Sequence, residues 1–392
     1  MYDFEMIVDR RGCGSYKWDA IAAEMGEGAE DVTPMSVADM ELKTAPEITE
    51  ALKKAVDFGV YGYTGPTEGY YEAVQGWMER RHGWKIKKDW ISLSPGVVSA
   101  FYNAIRALTH PGDKVIIQRP VYYPFSSAVK LSGCEIVNNP LILKDGRYEM
   151  DFEDLEQKAK DPRVKVLLFC NPHNPVGRVW TAEELKKLGE ICLKNNVVVV
   201  SDEIHFDFVF KPFHHTVFAT ISPEMEQNCM ILTAPSKTFN LAGLQCSNII
   251  IPNPELKAAF DLAFENTGTF SLNYFAYPAC EAAYRSGEGW LDGLLELLES
   301  NKKILADFLA DELPQIKLIE PEGTYLAWLD CRGLKMNRDE LETFMKQKAR
   351  VFFDEGYLFG EEGNEFERIN LACPEKMLKK VLENIKAAIK RT

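Results

Sequence analysis

Short, wholly apolar segments separated by helix-like stretches constrain the fold of this chain more than any other feature. Two segments have the pattern of buried strands, Val164–Phe169 and Val197–Ser201. A similar apolar pattern occurs at Lys114–Gln118, Met230–Thr233 and Asn248–Ile251. Strands that are apolar on both sides are typical of parallel sheets covered by helices on both faces. The pattern therefore predicts an α/β fold with a mostly parallel sheet. Functional residues are expected at the carboxyl ends of these strands.

The elements along the chain predict two domains. Thr181 and Glu184 form a capping-box pattern that predicts a helix running to about Lys194. After Ser286 the predicted elements change. They are a long amphipathic helix at Trp290–Leu309, strands at Lys317–Glu320 and Tyr325–Asp330, and helices at Leu341–Lys348 and Glu375–Lys390. We expect an N-terminal arm at 1–44 that is part of the small domain, a large domain at 45–285 and a small α+β domain at 286–392.

Composition and charge exclude several classes of protein. Apolar residues make up 46% of the chain and charged residues 27%, which is ordinary for a globular protein. The net charge of −14 makes nucleic acid and anionic membrane surfaces poor general partners. No apolar run approaches the ~18 residues that a membrane span needs. The first residues, MYDFEMIVDRR, are acidic where a signal peptide is basic and then apolar, which predicts a cytoplasmic protein.

The cysteines and histidines do not form metal-site patterns. The nine cysteines are widely spaced and include no CxxC, which indicates reduced thiols rather than disulfides or zinc ligands. Cys170 and Cys192 lie in apolar stretches and are expected to be buried fillers. His214 and His215 are adjacent, and neighbours in sequence rarely bind one ion. We therefore predict no metal site.

Four short segments lie at the ends of predicted strands. In Ser92–Ala100 a Pro-Gly turn leads into a helix, so the N–H groups of Gly96, Val97 and Val98 are candidates for binding an anion. In Phe169–Gly177 two Asn-Pro steps follow a buried strand, which indicates either a rigid turn or a ligand-binding loop.

The other two segments carry a carboxylate pair and a lysine. A hydrophobic strand runs directly into Asp202 and Glu203, where buried carboxylates require a cation or proton donor as partner. A structural salt bridge satisfies the same requirement. Lys237 follows a strand and a small-residue loop, and taken alone it is more readily explained as a solvated loop lysine.

The order of these segments, together with further motifs, carries a family resemblance. The motifs are Arg11–Asp19 (RGCGSYKWD), Val37–Met40 (VADM), Tyr61–Thr64 (YGYT), Ser94–Val98 (SPGVV), Ser201–His205 (SDEIH), Ser236–Asn240 (SKTFN) and Tyr325–Asp330 (YLAWLD). They resemble the MalY/PatB branch of the aspartate aminotransferase superfamily, which contains cystathionine β-lyase-like C–S lyases. The resemblance covers essentially the whole chain. It implies fold type I, with a seven-stranded, mostly parallel sheet in the large domain, and pyridoxal 5'-phosphate as cofactor.

The resemblance implies a role for each matching residue. Lys237 matches the lysine that links covalently to the cofactor, and Asp202 matches the carboxylate that keeps its ring nitrogen protonated. Asn174 matches the amide on the cofactor's phenolic oxygen, and His205 stands where aminotransferases carry a tyrosine on that oxygen. Tyr122 matches the aromatic that stacks on the ring, with Tyr123 as a possible substitute.

Further matches concern the phosphate, the substrate and a second subunit. Gly96, Val97, Val98 and Ser236 match phosphate contacts. Arg368 matches the arginine that binds the substrate α-carboxylate by two hydrogen bonds. Tyr63 matches a tyrosine that reaches the phosphate of the neighbouring subunit, which implies a homodimer with shared active sites.

Two departures from the general aminotransferase signature narrow the expected activity. Ala234 replaces a small Gly or Ser ahead of the lysine, and Gln245 replaces an arginine that pairs with the cofactor phosphate. The resemblance therefore favours a C–S β-lyase acting on cystathionine or related cysteine conjugates over an aminotransferase on the same scaffold. A regulatory binding module is a third reading, because some relatives of this branch bind a transcription regulator, but no docking segment can be recognised here.

Overall fold

The computed structural model describes residues 2–26 and 28–391. Its strands are β1 (Thr33–Pro34), β2 (Ile91–Ser94), β3 (Lys114–Ile117), β4 (Glu135–Asn138), β5 (Ile142–Lys144), β6 (Arg147–Glu149), β7 (Val164–Cys170), β8 (Val198–Asp202), β9 (Cys229–Thr233), β10 (Ser247–Ile250), β11 (Lys317–Ile319), β12 (Leu326–Asp330), β13 (Val351–Phe352), β14 (Asp354–Glu355) and β15 (Phe366–Asn370).

The helices surround the sheets and account for the connections between strands. They are α1 (Trp18–Met25), α2 (Pro46–Phe58), α3 (Glu68–His82), α4 (Val97–Leu108), α5 (Pro124–Leu131), α6 (Phe152–Ala159), α7 (Ala182–Lys194), α8 (Pro223–Glu226), α9 (Pro235–Thr238), α10 (Pro254–Glu265), α11 (Ala276–Ser286), α12 (Glu288–Glu312), α13 (Arg338–Thr343) and α14 (Glu375–Ile389). Among the described residues, no helix is both long and apolar enough to cross a membrane.

A seven-stranded sheet forms the centre of the molecule, in the order β2-β10-β9-β8-β7-β3-β4. All neighbouring strands are parallel except that β10 runs antiparallel to both β2 and β9. The predicted α/β class and the mostly parallel seven-stranded sheet are confirmed. The sheet is covered on both faces by apolar side chains that form two separate clusters. The carboxyl ends of β7, β8 and β9 consequently lie side by side.

A second sheet is built from the C-terminal third, in the order β11-β12-β15-β14 with antiparallel pairing. The N-terminal arm joins this part of the chain, because Thr33 of β1 pairs in parallel with Val351 of β13. Asn370 on β15 also donates its N–H to Met35 O at 2.9 Å, so the strand that carries Arg368 is joined directly to the arm.

The capping-box prediction is confirmed, since Thr181 and Glu184 cap α7 reciprocally and the helix ends at Lys194. The predicted helix over 341–348 forms, but it starts earlier and its second half is of a different type. Helix α13 begins earlier, at Arg338, and residues 344–348 form a π-helix. Lys346 in this segment is held by ion pairs with Glu24, Glu342 and Glu355. Glu24 lies 322 residues from Lys346 in sequence, so local periodicity does not report this contact.

Candidate active site

A cavity of about 230 Å³ lies at the carboxyl ends of β7, β8 and β9. The predicted site residues that line it are Gly96, Val97, Val98, Tyr122, Asn174, Asp202, His205, Ser236 and Lys237. Arg368 reaches this cavity through a hydrogen bond to Asn174. The segments that the sequence places far apart are therefore brought together by the parallel sheet.

Lys237 lies on α9, the single helical turn that directly follows β9. Its Nζ donates a hydrogen bond to the backbone oxygen of Ala38 at 2.7 Å. Burial lowers the pKa of Lys237 to about 8, while the charge of Asp39 opposes this shift and that of Arg368 adds to it. An amine with this pKa is partly unprotonated near neutral pH, as nucleophiles and proton acceptors require.

Asp202 is the last residue of β8, and it is 3% exposed. Its Oδ1 accepts the backbone N–H of Ile204 at 3.1 Å. Burial raises the pKa of Asp202 to about 7, although the Ile204 hydrogen bond and the charge of Lys237 act in the opposite direction. No cationic side chain of the described residues forms an ion pair with Asp202. The carboxylate is thus prepared for a cationic partner that the chain itself does not supply.

The Asn-Pro loop after β7 places the amide of Asn174 against Arg368, which lies on β15. The Nη1 of Arg368 donates to Asn174 Oδ1 at 2.9 Å, and both side chains are buried. The Nη2 of Arg368 forms an ion pair with Asp354 Oδ2. The ring of Phe359 packs under the guanidinium, with 4.8 Å between Arg368 Cζ and the ring centroid. This arginine is held rigidly at the border of the cavity.

His205 and Tyr122 provide the other polar groups of the cavity. Burial lowers the pKa of His205 well below its ordinary value, and the charges of Lys237 and Arg368 add to the shift, so the imidazole is neutral. His205 Nδ1 is buried and has no hydrogen-bond partner among the residues that the structure describes. Burial raises the pKa of Tyr122, which keeps its hydroxyl protonated.

The Pro-Gly turn leads into α4 as expected, but its three N–H groups are not equivalent. The N–H of Gly96 already donates to Ser94 O at 2.8 Å, so the prediction that it is free is wrong. Val97 and Val98 are the first residues of α4, where N–H groups have no partner within the helix. Together with Ser236 they form one wall of the cavity and are suited to an anion.

Tyr63 lies outside the cavity. Its side chain is fully exposed, at 103% of the reference area, so it does not pack within its own subunit. Tyr123 is 44% exposed, next to Tyr122, with 5.3 Å between the ring centroids. The chain alone therefore does not use Tyr63 in the site.

The sequence analysis assigned no role to three groups that the structure places in the site. Ala38 O accepts the Tyr325 hydroxyl at 2.9 Å in addition to Lys237 Nζ. Asp354 holds Arg368. Ala38 and Tyr325 lie in motifs that carry the family resemblance. Asp354 follows the apolar run 351–353, and a carboxylate at a strand end was the signal that identified Asp202.

A second buried network holds Thr238, the residue that follows Lys237. Thr238 Oγ1 donates to Asp207 Oδ2 at 2.6 Å, and Asp207 Oδ1 also accepts Trp77 Nε1 at 3.2 Å. His82 Nε2 lies 2.9 Å from the same oxygen. The network fixes the residue after Lys237, so the short helix α9 has little freedom to rotate.

The residues present fit pyridoxal 5'-phosphate. The phosphate of this cofactor needs N–H donors, its ring nitrogen needs a carboxylate, and its aldehyde needs an amine. The N–H groups of Val97 and Val98, the carboxylate of Asp202 and the amine of Lys237 meet these needs within one cavity. The unpartnered His205 Nδ1 is a further polar group that a ligand can satisfy.

Comparison with known proteins identifies the family. Residues 30–385 match the family described as aminotransferase class I and II. The chain belongs to this family. Within the aminotransferase class I and II family, the chain is 45% identical to cystathionine beta-lyase PatB of Bacillus subtilis over 389 residues, which cover 99% of this chain and 100% of PatB. It is 32% identical to protein MalY of Escherichia coli over 392 residues, 100% of this chain and 99% of MalY.

Solved structures of the family agree with the fold. Cystalysin from Treponema denticola, whose crystal structure contains a pyridoxal 5'-phosphate cofactor, superimposes with a TM-score of 0.98 at 47% identity. The match covers 100% of this chain and 99% of cystalysin. The resemblance to the MalY/PatB branch, which the motifs predicted, is thereby confirmed.

Proposed function

We propose that this protein is a pyridoxal-phosphate-dependent C–S β-lyase that cleaves L-cystathionine or related cysteine S-conjugates to a thiol, pyruvate and ammonia. The observation that carries the proposal is the meeting of Lys237, Asp202, Asn174 and Arg368 around one cavity. The full-length similarity to PatB, named a cystathionine beta-lyase, favours the lyase over an aminotransferase. Gln245 lines the cavity at the position where aminotransferases have an arginine, which favours the same choice.

The residues that we assign to the cofactor divide by the group they contact. Lys237 would hold the cofactor through its aldehyde, Asp202 would pair with the ring nitrogen, and Tyr122 would lie against the ring. Asn174 and His205 would contact the phenolic oxygen. The N–H groups of Val97 and Val98 and the Ser236 hydroxyl would bind the phosphate, with the backbone at Gly96 shaping the turn. When bound, the cofactor draws electrons from the substrate and so acidifies its Cα–H bond.

Residues of the chain then orient the substrate and remove its Cα proton. Arg368 orients the substrate through its α-carboxylate, with Asn174 as neighbouring contact. Lys237, once its amine is free, removes the Cα proton, and its lowered pKa of about 8 makes it an effective base near neutral pH. A sulfur substituent on Cβ then leaves with the bonding electron pair as a thiolate. The unsaturated three-carbon amino acid that remains is hydrolysed by water to pyruvate and ammonia. The protonation state of the buried Asp202 sets how strongly the site withdraws electrons.

A direct assay tests the proposed function. Purified protein supplied with cofactor is expected to convert cystathionine to pyruvate and ammonia in equal amounts. The alternative, an aminotransferase, predicts transfer of the amino group to an added 2-oxo acid and no release of ammonia. Substrates without a leaving group on Cβ provide the control, since a lyase forms no pyruvate from them. Amino transfer without pyruvate formation would reject the proposal.

We also propose a homodimer in which Tyr63 completes the partner's phosphate site. Tyr63 is fully exposed, and Phe58, Tyr61 and Phe270 are exposed by more than half. Tyr61 packs against Tyr274 at 5.5 Å and against Phe275 at 5.6 Å between ring centroids, so exposed and partly buried aromatics cluster next to Tyr63 in the chain. Aromatic surfaces of this kind are typical of subunit interfaces.

Mixing two impaired variants tests the shared site. Tyr63→Phe and Lys237→Ala are each expected to be impaired as homodimers. Co-refolded in equal amounts, half of the dimers are mixed, and one site in each mixed dimer carries both lesions while the other carries neither. Activity should recover to about a quarter of the wild-type value by this symmetry. If Tyr63 acted within its own subunit, every site would carry one lesion and mixing would restore nothing.

A cytoplasmic location completes the proposal. It rests on the cysteines, all nine of which are free thiols, eight of them buried. Free thiols persist in a reducing compartment. The predicted burial of Cys170 and Cys192 is confirmed, although Cys170 also lines the cavity.

A further inference from the structure

Arg368 has a carboxylate partner before any ligand arrives. Asp354 on β14 pairs directly with Arg368 on β15 in the antiparallel register. The Arg368 Nη2 contacts Asp354 Oδ2 in an ion pair, and the two side chains are 3% and 13% exposed. Burial of both groups means that solvent screens their interaction little.

The guanidinium keeps donors for a second carboxylate. Nη1 contacts Asn174 and Nη2 contacts Asp354, while the buried Nε has no hydrogen-bond partner among the described residues. A guanidinium has five N–H groups in a fixed fork. A substrate carboxylate can therefore bind to Arg368 without removing Asp354.

The charges around the cavity are balanced without a ligand. Among the described residues, Arg368 and Lys237 are cationic groups at the cavity, and Asp354 and Asp202 are anionic groups there. Asp39, whose charge also acts on Lys237, is itself paired with Arg10 and Lys17. The negative charge of Asp354 is also felt at Tyr122 and Tyr123, beside the cavity. It adds to the effect of burial in raising the pKa of both hydroxyls. A ligand with a carboxylate alone adds one uncompensated negative charge here, which is unfavourable at a buried site. An amino acid brings its own ammonium group.

We infer that Asp354 is a specificity-determining residue that favours zwitterionic amino acids over 2-oxo acids at Arg368. The inference rests on the proposed function and deepens it. An aminotransferase must bind a 2-oxo acid as its second substrate, whereas a β-lyase releases one as product. By neutralising Arg368 in advance, Asp354 weakens the binding of pyruvate and of amino-group acceptors, and so directs the site towards elimination.

Asp354 also has a positional role that must be separated from its charge. Its Oδ2 accepts the backbone N–H of Val37 at 2.9 Å, and Val37 has a positive φ of 53°. β-Branched residues rarely adopt this conformation, so the contact helps to hold a strained segment. Both Val37 and Arg368 use the same oxygen of Asp354. Asparagine can place its one carbonyl oxygen there, so Asp354→Asn removes the charge and retains both acceptor contacts.

The test compares pyruvate with L-alanine, which have the same carbon skeleton. The holoenzyme is first reduced with borohydride, so that the cofactor is fixed on the protein and neither ligand reacts. Dissociation constants for both ligands are then measured by calorimetry. The wild type is expected to bind alanine more tightly than pyruvate. Asp354→Asn is expected to bind pyruvate about tenfold more tightly, because one buried like charge is removed, while alanine affinity changes less than threefold.

Two further variants control for structural effects. Asp330 forms an ion pair with Arg332 in the same sheet, is similarly buried at 11% exposure, and does not line the cavity. Asp330→Asn should leave the ratio of the two constants unchanged. Asp354→Glu retains the charge and should keep the preference for alanine. A ratio that is unchanged in Asp354→Asn, or wild-type protein that binds pyruvate more tightly than alanine, would overturn the inference.

These outcomes are distinct from failure of the proposed function. The absence of pyruvate release from cystathionine would reject the lyase assignment. The binding ratio is measured without turnover, so it reports only on the charge at Arg368. The competitive inhibition constant of pyruvate during turnover gives an independent measure, and it should fall about tenfold in Asp354→Asn with little change in KM.

Discussion

Replacing Lys237 with alanine is expected to abolish β-elimination while leaving the fold intact. The substitution removes both the covalent link to the cofactor and the base for the Cα proton. Loss of a general base alone reduces rates by ~10²–10⁴-fold, and loss of the covalent step adds to that. Pyruvate release from cystathionine measures the effect. Near-native turnover by this variant would reject the assigned role.

Labelling provides an independent check on Lys237. Wild-type holoenzyme treated with borohydride should carry the cofactor on the peptide that contains Lys237, as read by mass mapping. Lys257, which pairs with Asp261 on helix α10, is a matched control, and Lys257→Ala should retain labelling and activity. A cofactor mapped to any other lysine would contradict the assignment.

Replacing Asp202 with asparagine should produce the second largest effect. A buried carboxylate that pairs with a protonated ring nitrogen is difficult to replace, and breaking such a pair costs ~3–5 kcal/mol. We expect the affinity for the cofactor and the rate of elimination each to fall, by roughly 10²–10⁴-fold in total, because every ~1.4 kcal/mol is a factor of ten. Cofactor titration by absorbance and the pyruvate assay measure the two quantities.

The neighbouring carboxylate, Glu203, provides a control that separates loss of cofactor binding from general destabilisation of the fold. Glu203 is also buried, but it contacts His215 at 2.8 Å and Ser201 at 2.9 Å and does not line the cavity. Glu203→Gln should lower thermal stability and leave the cofactor affinity of the folded protein close to that of the wild type. Equal rates in Asp202→Asn and wild type would show that Asp202 is only a structural acid at a strand end.

Local signals explain why much of the fold could be predicted from the sequence. The capping box at Thr181 and the apolar run ending at Asp202 report on their own neighbourhood, and both elements form as predicted within one or two residues. Parallel strands then bring Asn174, Asp202 and Lys237 to one edge, which follows from topology.

Tertiary contacts explain what could not be predicted. Asp354 becomes important only because β14 pairs with β15, and its partner Val37 lies 317 residues away in sequence. The N–H of Gly96 is occupied by a carbonyl two residues earlier, a detail of backbone angles. Tyr63 is fully exposed in the single chain, so the structure of one subunit does not test the role that the family resemblance predicts for it.

The contacts of Ala38 have a consequence for how activity arises during folding. Its carbonyl oxygen binds Lys237 from 199 residues later in the chain and Tyr325 from 287 residues later. Contacts between such distant segments form slowly, because long loops must close first. A nascent chain can complete its central sheet, yet the reactive amine gains its acceptor only when the arm docks. We therefore expect fragments that lack the arm, residues 1–44, to be inactive rather than partly active, even where they are compact.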